Sequence, residues 1–284
     1  MAGVVDEQAD APPEDLLFRR RVQPLAVLKE LWQARELART LAERELRARY
    51  KQTFLGFAWA VITPVMLMIV FTLFFDKVAN IDTGGAPYPL FSYVGLLPWT
   101  FFSSSVSSAS QSLVSNMSLL NKVYCPREVF PMGSILVAGL DTVIATGVLG
   151  LLFAVTQYAP RITSVYVPIL LAVQLCFTLG VALLAAIATV YIRDLRQSLP
   201  MFLQLGLFAT PVAFGLEEIP ASLRPLYAVL NPLGPVIDGY RDTVLLGQAP
   251  DWGLLGLGAA SSLVLLLGGY TLFKRLETGI ADVA

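Results

Sequence analysis

The chain has 284 residues, of which 56% are hydrophobic and 14% charged, with a formal net charge of −1 and no histidine. A soluble domain carries roughly 25% charged residues, so this chain, with a mean hydropathy of +0.66, cannot coat a water-soluble body of its size. The charge balance excludes a strongly basic nucleic-acid binder. The missing histidine excludes histidine acid–base and zinc chemistry. Cys125 and Cys176 form no CxxC pair, which argues against a metal or disulfide framework. No GxxxxGK[ST] stretch occurs, so any ATP is bound by another chain.

Residues 1–23 are acidic, proline-bearing and without a signal-peptide apolar core, and read as a disordered cytoplasmic tail. Residues 24–52 form the next unit. Leu25, Leu28, Leu31, Ala34, Ala38 and Leu41 recur at three- and four-residue steps, giving a helix one apolar stripe. Glu43–Arg47 and Glu45–Arg49 are i,i+4 pairs that support it. The opposite face is rich in arginine, as in a helix lying in the membrane interface.

The transmembrane unit is 53–284, and six spans are read in it, at about 54–75, 91–115, 132–158, 165–192, 199–214 and 252–273. The first is 22 residues without a charge, about 33 Å of helix and enough to cross. The second is serine-rich, with small residues that permit close helix approach. The third is interrupted by Asp141, whose hydrogen bonds Thr142 and Thr146 can share within helix packing; a functional acid is the other reading. Ten basic residues precede the first span. With the N-terminus inside, Lys122, Arg127, Arg193, Arg196, Lys274 and Arg275 also fall inside, leaving four basic residues outside. The positive-inside rule therefore places both termini in the cytoplasm.

Between spans five and six, Ala221–Leu230 and Gly234–Leu246 are apolar but too short to cross. Pro220, Asn231-Pro232 and Gly247 punctuate them as two short re-entrant helices on the outer side, lining the mouth of a pathway. The fold class is thus an all-α integral membrane protein with an N-terminal amphipathic interface helix.

Five stretches in order resemble one family, the ABC-2-type membrane subunits that export polysaccharides, which include the Wzm-type O-antigen, capsule, teichoic-acid and cell-wall galactan permeases. They are RARYKQTFLGFAWAVITPV (Arg47–Val65), the Leu96–Pro131 stretch, Arg193-Asp194-Leu195, YAVLNPLGPVIDGYRD (Tyr227–Asp242) and the closing FKRLETGIAD. Cys125 stands where relatives usually carry phenylalanine. The resemblance implies a homodimeric, multi-pass permease of the bacterial cytoplasmic membrane. Two copies of a separate ATPase subunit would drive it, holding ATP and Mg; the permease itself carries no cofactor. The cargo implied is a polyprenyl-diphosphate-linked glycan.

Within that frame, Leu119, Leu120, Lys122, Val123, Tyr124 and Arg127 are the candidate ATPase-coupling residues. An ordinary cytoplasmic turn is the plainer reading. Arg44, Arg47, Arg49, Tyr50 and Lys51 are candidates for loading a lipid diphosphate through bidentate guanidinium contacts; positive-inside and headgroup binding explain them equally well. Phe71, Phe75, Trp99, Tyr227 and Tyr240 are candidate channel aromatics on which sugars stack, although such residues also form interfacial belts. A drug or small-lipid ABC-2 exporter is the alternative function. An intramembrane enzyme lacks convergent catalytic groups, and a proton-driven carrier lacks a second buried acid.

Overall fold

The computed structural model describes residues 35–50, 56, 58–79, 83–120 and 125–280. Among the described residues every regular element is helical, as a lipid solvent requires of apolar runs whose backbone groups must be satisfied within the segment. Helix α1 is Arg35–Tyr50. Helix α2, Ala58–Phe71, continues as a π-helical Thr72–Ala79. Helix α3 is Tyr88–Ser115, and α4 is the single turn Met117–Leu120. Helix α5 is Val129–Thr156, followed by α6, Val167–Tyr191, and α7, Leu195–Ala209. Two short helices, α8 (Arg224–Leu230) and α9 (Leu233–Arg241), precede α10, Trp252–Leu276.

Among the described residues, four helical stretches are long and apolar enough to cross a membrane: Ala58–Phe75, Val129–Thr156, Ile162–Tyr191 and Trp252–Gly279. Helix α3 has the length, at 28 residues, but its serines dilute it. It packs centrally against α5 and α6 and buries most of its side chains, and a helix covered by protein needs no continuous apolar face toward lipid. Helix α7, with 15 residues, rises only about 22 Å and is short of a bilayer core by itself.

Small residues set a close contact between α6 and α10. A Cβ on Gly180 of α6 would lie 2.9 Å from the Leu266 backbone nitrogen, and one on Gly269 of α10 would lie 2.9 Å from the Gly180 carbonyl oxygen. The two backbones therefore touch, as small-residue helix seams allow. The expected break at Asn231-Pro232 separates α8 from α9. Gly247, at φ 76°, ends the π-turn Asp242–Leu246 that extends α9.

The N-terminal helix α1 lies on α5. Its Ala38, Leu41 and Ala42 are buried, the first two in one cluster with Val129 and Phe130. Arg39 and Arg47 both pair with Glu43 on the exposed side. Glu45 accepts a hydrogen bond from Ser134 of α5 at 3.0 Å, while the side chain of Arg49, its expected partner, lies outside the described residues.

Candidate functional site

A cavity of about 420 Å³ lies between α2, α3, α5 and α7. One face of α3 supplies Thr100, Ser103, Ser104 and Ser107, a spacing that keeps all four on one side of a helix. Helix α2 contributes Trp59 and Thr63, α5 contributes Asp141 and Thr142, and α7 contributes Gln204. Asp141 stands near the middle of its 28-residue helix.

Several of the wall's hydroxyl hydrogens are spent within the helices. Thr100 donates to the Leu97 carbonyl at 3.0 Å, Ser104 to that of Thr100 at 2.7 Å, and Thr142 to that of Ala138 at 2.8 Å. Thr146 likewise donates to the Thr142 carbonyl at 2.8 Å. The threonine hydroxyl hydrogens expected to serve Asp141 therefore go to backbone oxygens. What the Thr100, Ser104 and Thr142 hydroxyls have left for the cavity is oxygen lone pairs.

Trp99 also reaches this wall. A Cβ on Gly206 would lie 2.9 Å from its ring, so that glycine is what lets α7 close on the indole. Trp99 packs on Phe102 at 5.7 Å, and Phe102 stacks on Phe177 at 5.2 Å.

A second constellation holds the α8–α9 region against α3. Arg241 is 1% exposed. Its Nη1 donates to the Pro211 and Phe214 carbonyls at 2.8 Å, its Nη2 to Val212 at 2.5 Å and its Nε to Phe91 at 3.2 Å. The guanidinium carbon sits 3.7 Å from the centre of the Phe91 ring. Gly95 makes room, since a Cβ there would meet Nη2 at 2.6 Å. Burial pushes the Asp238 carboxyl up, with Arg241 pulling it back. Burial, reinforced by Asp238 and Glu217, raises Asp242 to about 7.

The third lies at the α1 end. Lys274 Nζ is 2.8 Å from Glu128 and 3.2 Å from Glu277, with the Glu128 side chain 2% exposed. Arg44 donates to the Asn116 side chain between α3 and α4. Among the described residues no cluster of three His, Cys, Asp or Glu side chains is placed to hold a metal ion.

The family model of the ABC-2 type transporter matches residues 36–245. The chain belongs to that family. It is 33% identical over 259 residues to the O-antigen export system permease protein RfbA of Myxococcus xanthus, covering 91% of this chain and 99% of the relative. An RfbA of Klebsiella pneumoniae is 24% identical over 249 residues, covering 87% and 95%. The polysialic acid transport protein KpsM of Escherichia coli is 26% identical over 239 residues, covering 82% and 91%. An ABC-2 permease with such apolar helices is a multi-pass membrane protein, and the family is not itself catalytic.

The structure distributes the sequence-derived candidates over different places. Trp99 lines the cavity. Phe71 is 3% exposed and meets Phe75 edge-on at 5.6 Å, within the core rather than on the cavity wall. Tyr227 donates to the Ala209 carbonyl at 2.8 Å and Tyr240 to the Gln174 side chain at 3.0 Å, so both phenols tie helices together. Burial raises the Tyr227 phenol to about 12.

Leu119 and Leu120 pack half-buried on the cluster at the α1 end. Arg127 adjoins the buried Glu128, while Lys122, Val123 and Tyr124 lie outside the described residues. Arg47 is exposed beside Glu43. Arg49 and Tyr50 close α1, and Lys51 lies outside the described residues. Sequence reasoning passed over Trp59, which reads as an interfacial tryptophan, and Arg241, which reads as one more outer-loop cation. The serine face of α3 was legible as a pattern, but small-residue packing explained it equally well.

Proposed function

We propose that this ABC-2 permease is the membrane half of an exporter that carries a lipid-linked polysaccharide out of the bacterial cytoplasm. The observation that carries the reading is similarity along nearly the whole chain to permeases named for O-antigen export. The cavity chemistry supports it: hydroxyl and carboxyl oxygens beside two indoles suit a sugar's hydroxyls and its C–H faces.

In this reading two copies of the chain enclose the pathway and two copies of an ATPase subunit bind beneath it. The chain crosses six times with both termini inside. α2, α3, α5, α6 and α10 each make one crossing, and α7 with the turn after it makes another. Helices α8 and α9 form the re-entrant pair at the outer mouth. Leu119, Leu120, Lys122, Val123, Tyr124 and Arg127 engage the ATPase, and the arginines of α1 with Tyr50 and Lys51 receive the lipid diphosphate. ATP and Mg reside in the partner.

Cells depleted of the chain test the reading. They should accumulate polyprenyl-linked glycan on the cytoplasmic face, and affinity purification of the chain should recover a nucleotide-binding subunit. Unchanged lipid-linked glycan together with new drug or lipid sensitivity would instead favour the small-molecule exporter. The purified chain alone should hydrolyse no ATP, and hydrolysis should appear when the cognate ATPase is added.

A further inference from the structure

Resting on the export reading, we propose that Lys274 and Glu128 are positioning residues that join the ATPase-facing segment to α10, so that α10 carries the segment's displacement to the α8–α9 pair. Glu128 follows Arg127 directly and stands at the head of α5, its side chain 2% exposed. Lys274, in the last turn of α10, donates to its carboxylate at 2.8 Å and to Glu277 at 3.2 Å. Val129 and Phe130 share a buried cluster with Phe273 and Ile280 of the α10 end. Apolar contacts are non-directional and can slide. The ammonium fixes the register of α10 on α5, because separating a buried pair leaves an uncompensated charge.

From there α10 is one continuous α-helix back to Trp252, braced along α6. The two backbones touch at Gly180 and Gly269, and the Tyr191 hydroxyl donates to the Leu276 carbonyl at 2.6 Å. The far end of α10 seats the short helices. A Cβ on Gly258 would lie 3.2 Å from the Pro235 ring and 3.6 Å from both the Ala228 carbonyl oxygen and the Pro232 Cα. Leu255 is buried in one cluster with Val236 of α9 and with Leu170 and Val173 of α6. About 24 Å of helix separates Gly258 from Lys274. Close-packed contacts are poorly compressible and transmit strain, so a shift at one end is passed on to the other.

The experiment uses the full chain assembled with its cognate ATPase subunit in nanodiscs and isolated as the complex. Two quantities are read: ATP hydrolysis, and the change in amide exchange of residues 216–231 between nucleotide-free and ATP–vanadate-trapped complex. The wild type should show both. Lys274→Met/Glu128→Gln should hydrolyse ATP near the wild-type rate and keep the nucleotide-free exchange of 216–231. Its nucleotide-dependent change there should fall by about twofold or more. Lys274→Arg, which keeps the pair, should respond like the wild type. Glu128→Gln alone leaves Lys274 on Glu277, should weaken the response in the same direction, and decides the matter if the double variant fails to assemble. A merely structural role raises exchange in both nucleotide states alike. That result, an undiminished response in the variants, hydrolysis lost in step with the response, or a wild-type complex that hydrolyses ATP without any change at 216–231 overturns the inference and leaves the export reading standing. A wild-type chain that recovers no ATPase subunit overturns the exporter reading itself, and the inference with it.

Discussion

Arg241 lies over the ring of Phe91, 3.7 Å from its centroid, while also donating to that residue's carbonyl at 3.2 Å. One buried side chain thus joins α3 to the turn that follows α7 and to α9. The planar guanidinium is what makes this possible: it reaches four carbonyl oxygens and still stacks on an aromatic face. Fixing α9 in this way also fixes Tyr240, whose hydroxyl donates to Gln174, which in turn donates to the Pro98 carbonyl at 3.1 Å. The α8–α9 region is therefore tied to the middle of α3, one residue from Trp99.

Replacing Arg241 with lysine should not conserve that joint. A single ammonium has three donors and no plane, so buried carbonyls of Pro211, Val212 or Phe214 lose their partner. Each buried carbonyl left unpaired costs about 1–3 kcal/mol. Arg241→Lys should lower the melting temperature of the detergent-purified protein clearly, and Arg241→Ala more so. Proteolysis should then cut first within 210–219. A lysine variant that melts like the wild type would show that the guanidinium geometry is not what holds this region.

Asp242 makes the same region pH-sensitive. Its folded-state pKa is raised to about 7, first by burial and then by Asp238 and Glu217. A carboxyl raised above its unfolded value holds a proton more tightly when folded. Its stabilising contribution is therefore complete below about 4 and is lost as the pH rises through about 7. The melting temperature should fall between pH 5 and pH 8, and Asp242→Asn should flatten that fall. An unchanged slope in the asparagine variant would assign the pH dependence to other groups.

The long helices were legible because their chemistry is periodic and local. The break at Asn231-Pro232 and the stop at Gly247 were legible because backbone-restricting residues mark them whatever surrounds them. What the sequence could not convey is which face of a span meets protein. Phe71 and Phe75 stand one helical turn apart and look like a stripe. That spacing is equally that of a pair folded edge-on against its own core, which is what the structure shows. Arg241 carries the residue type of a solvated outer cation, and only contacts to 91 and 211–214 turn it into a buried joint. The serine face of α3 was visible as a repeat. Its meaning as a cavity wall depends on Trp59, Asp141 and Gln204 arriving from three other helices.

At the α1 end, Lys274 holds Glu128 and Glu277 together, 2.8 and 3.2 Å away. Lys274→Met removes the cation and leaves two acids facing each other in a buried place. Breaking a buried pair in this way costs about 3–5 kcal/mol. Glu128→Gln keeps Lys274 paired with Glu277 and should cost less. If the pair is what matters, the loss in the double variant Lys274→Met/Glu128→Gln should be smaller than the sum of the single losses. Thermal unfolding of the four proteins measures this, and strict additivity would show that the residues act separately.

The cavity-wall and core aromatics should separate in one comparison. Phe71 is 3% exposed and Trp59 is 51% exposed on the cavity wall. Truncating a buried phenylalanine costs about 3–5 kcal/mol and leaves a cavity, so Phe71→Ala, alone or with Phe75→Ala, should deplete the protein from the membrane. Export should fall in proportion to that loss. Trp59→Ala removes a half-exposed ring, so abundance should stay near normal while export per molecule drops. Quantifying the permease by immunoblot beside surface glycan gives export per molecule for each variant. A tryptophan serving only as an interfacial anchor predicts normal export per molecule in Trp59→Ala, because the remaining belt residues keep the helix in place. A phenylalanine pair facing the glycan predicts the reverse assignment, with Phe71→Ala/Phe75→Ala abundant but inactive. The burial of Phe71 and the exposure of Trp59 favour the tryptophan as the sugar contact.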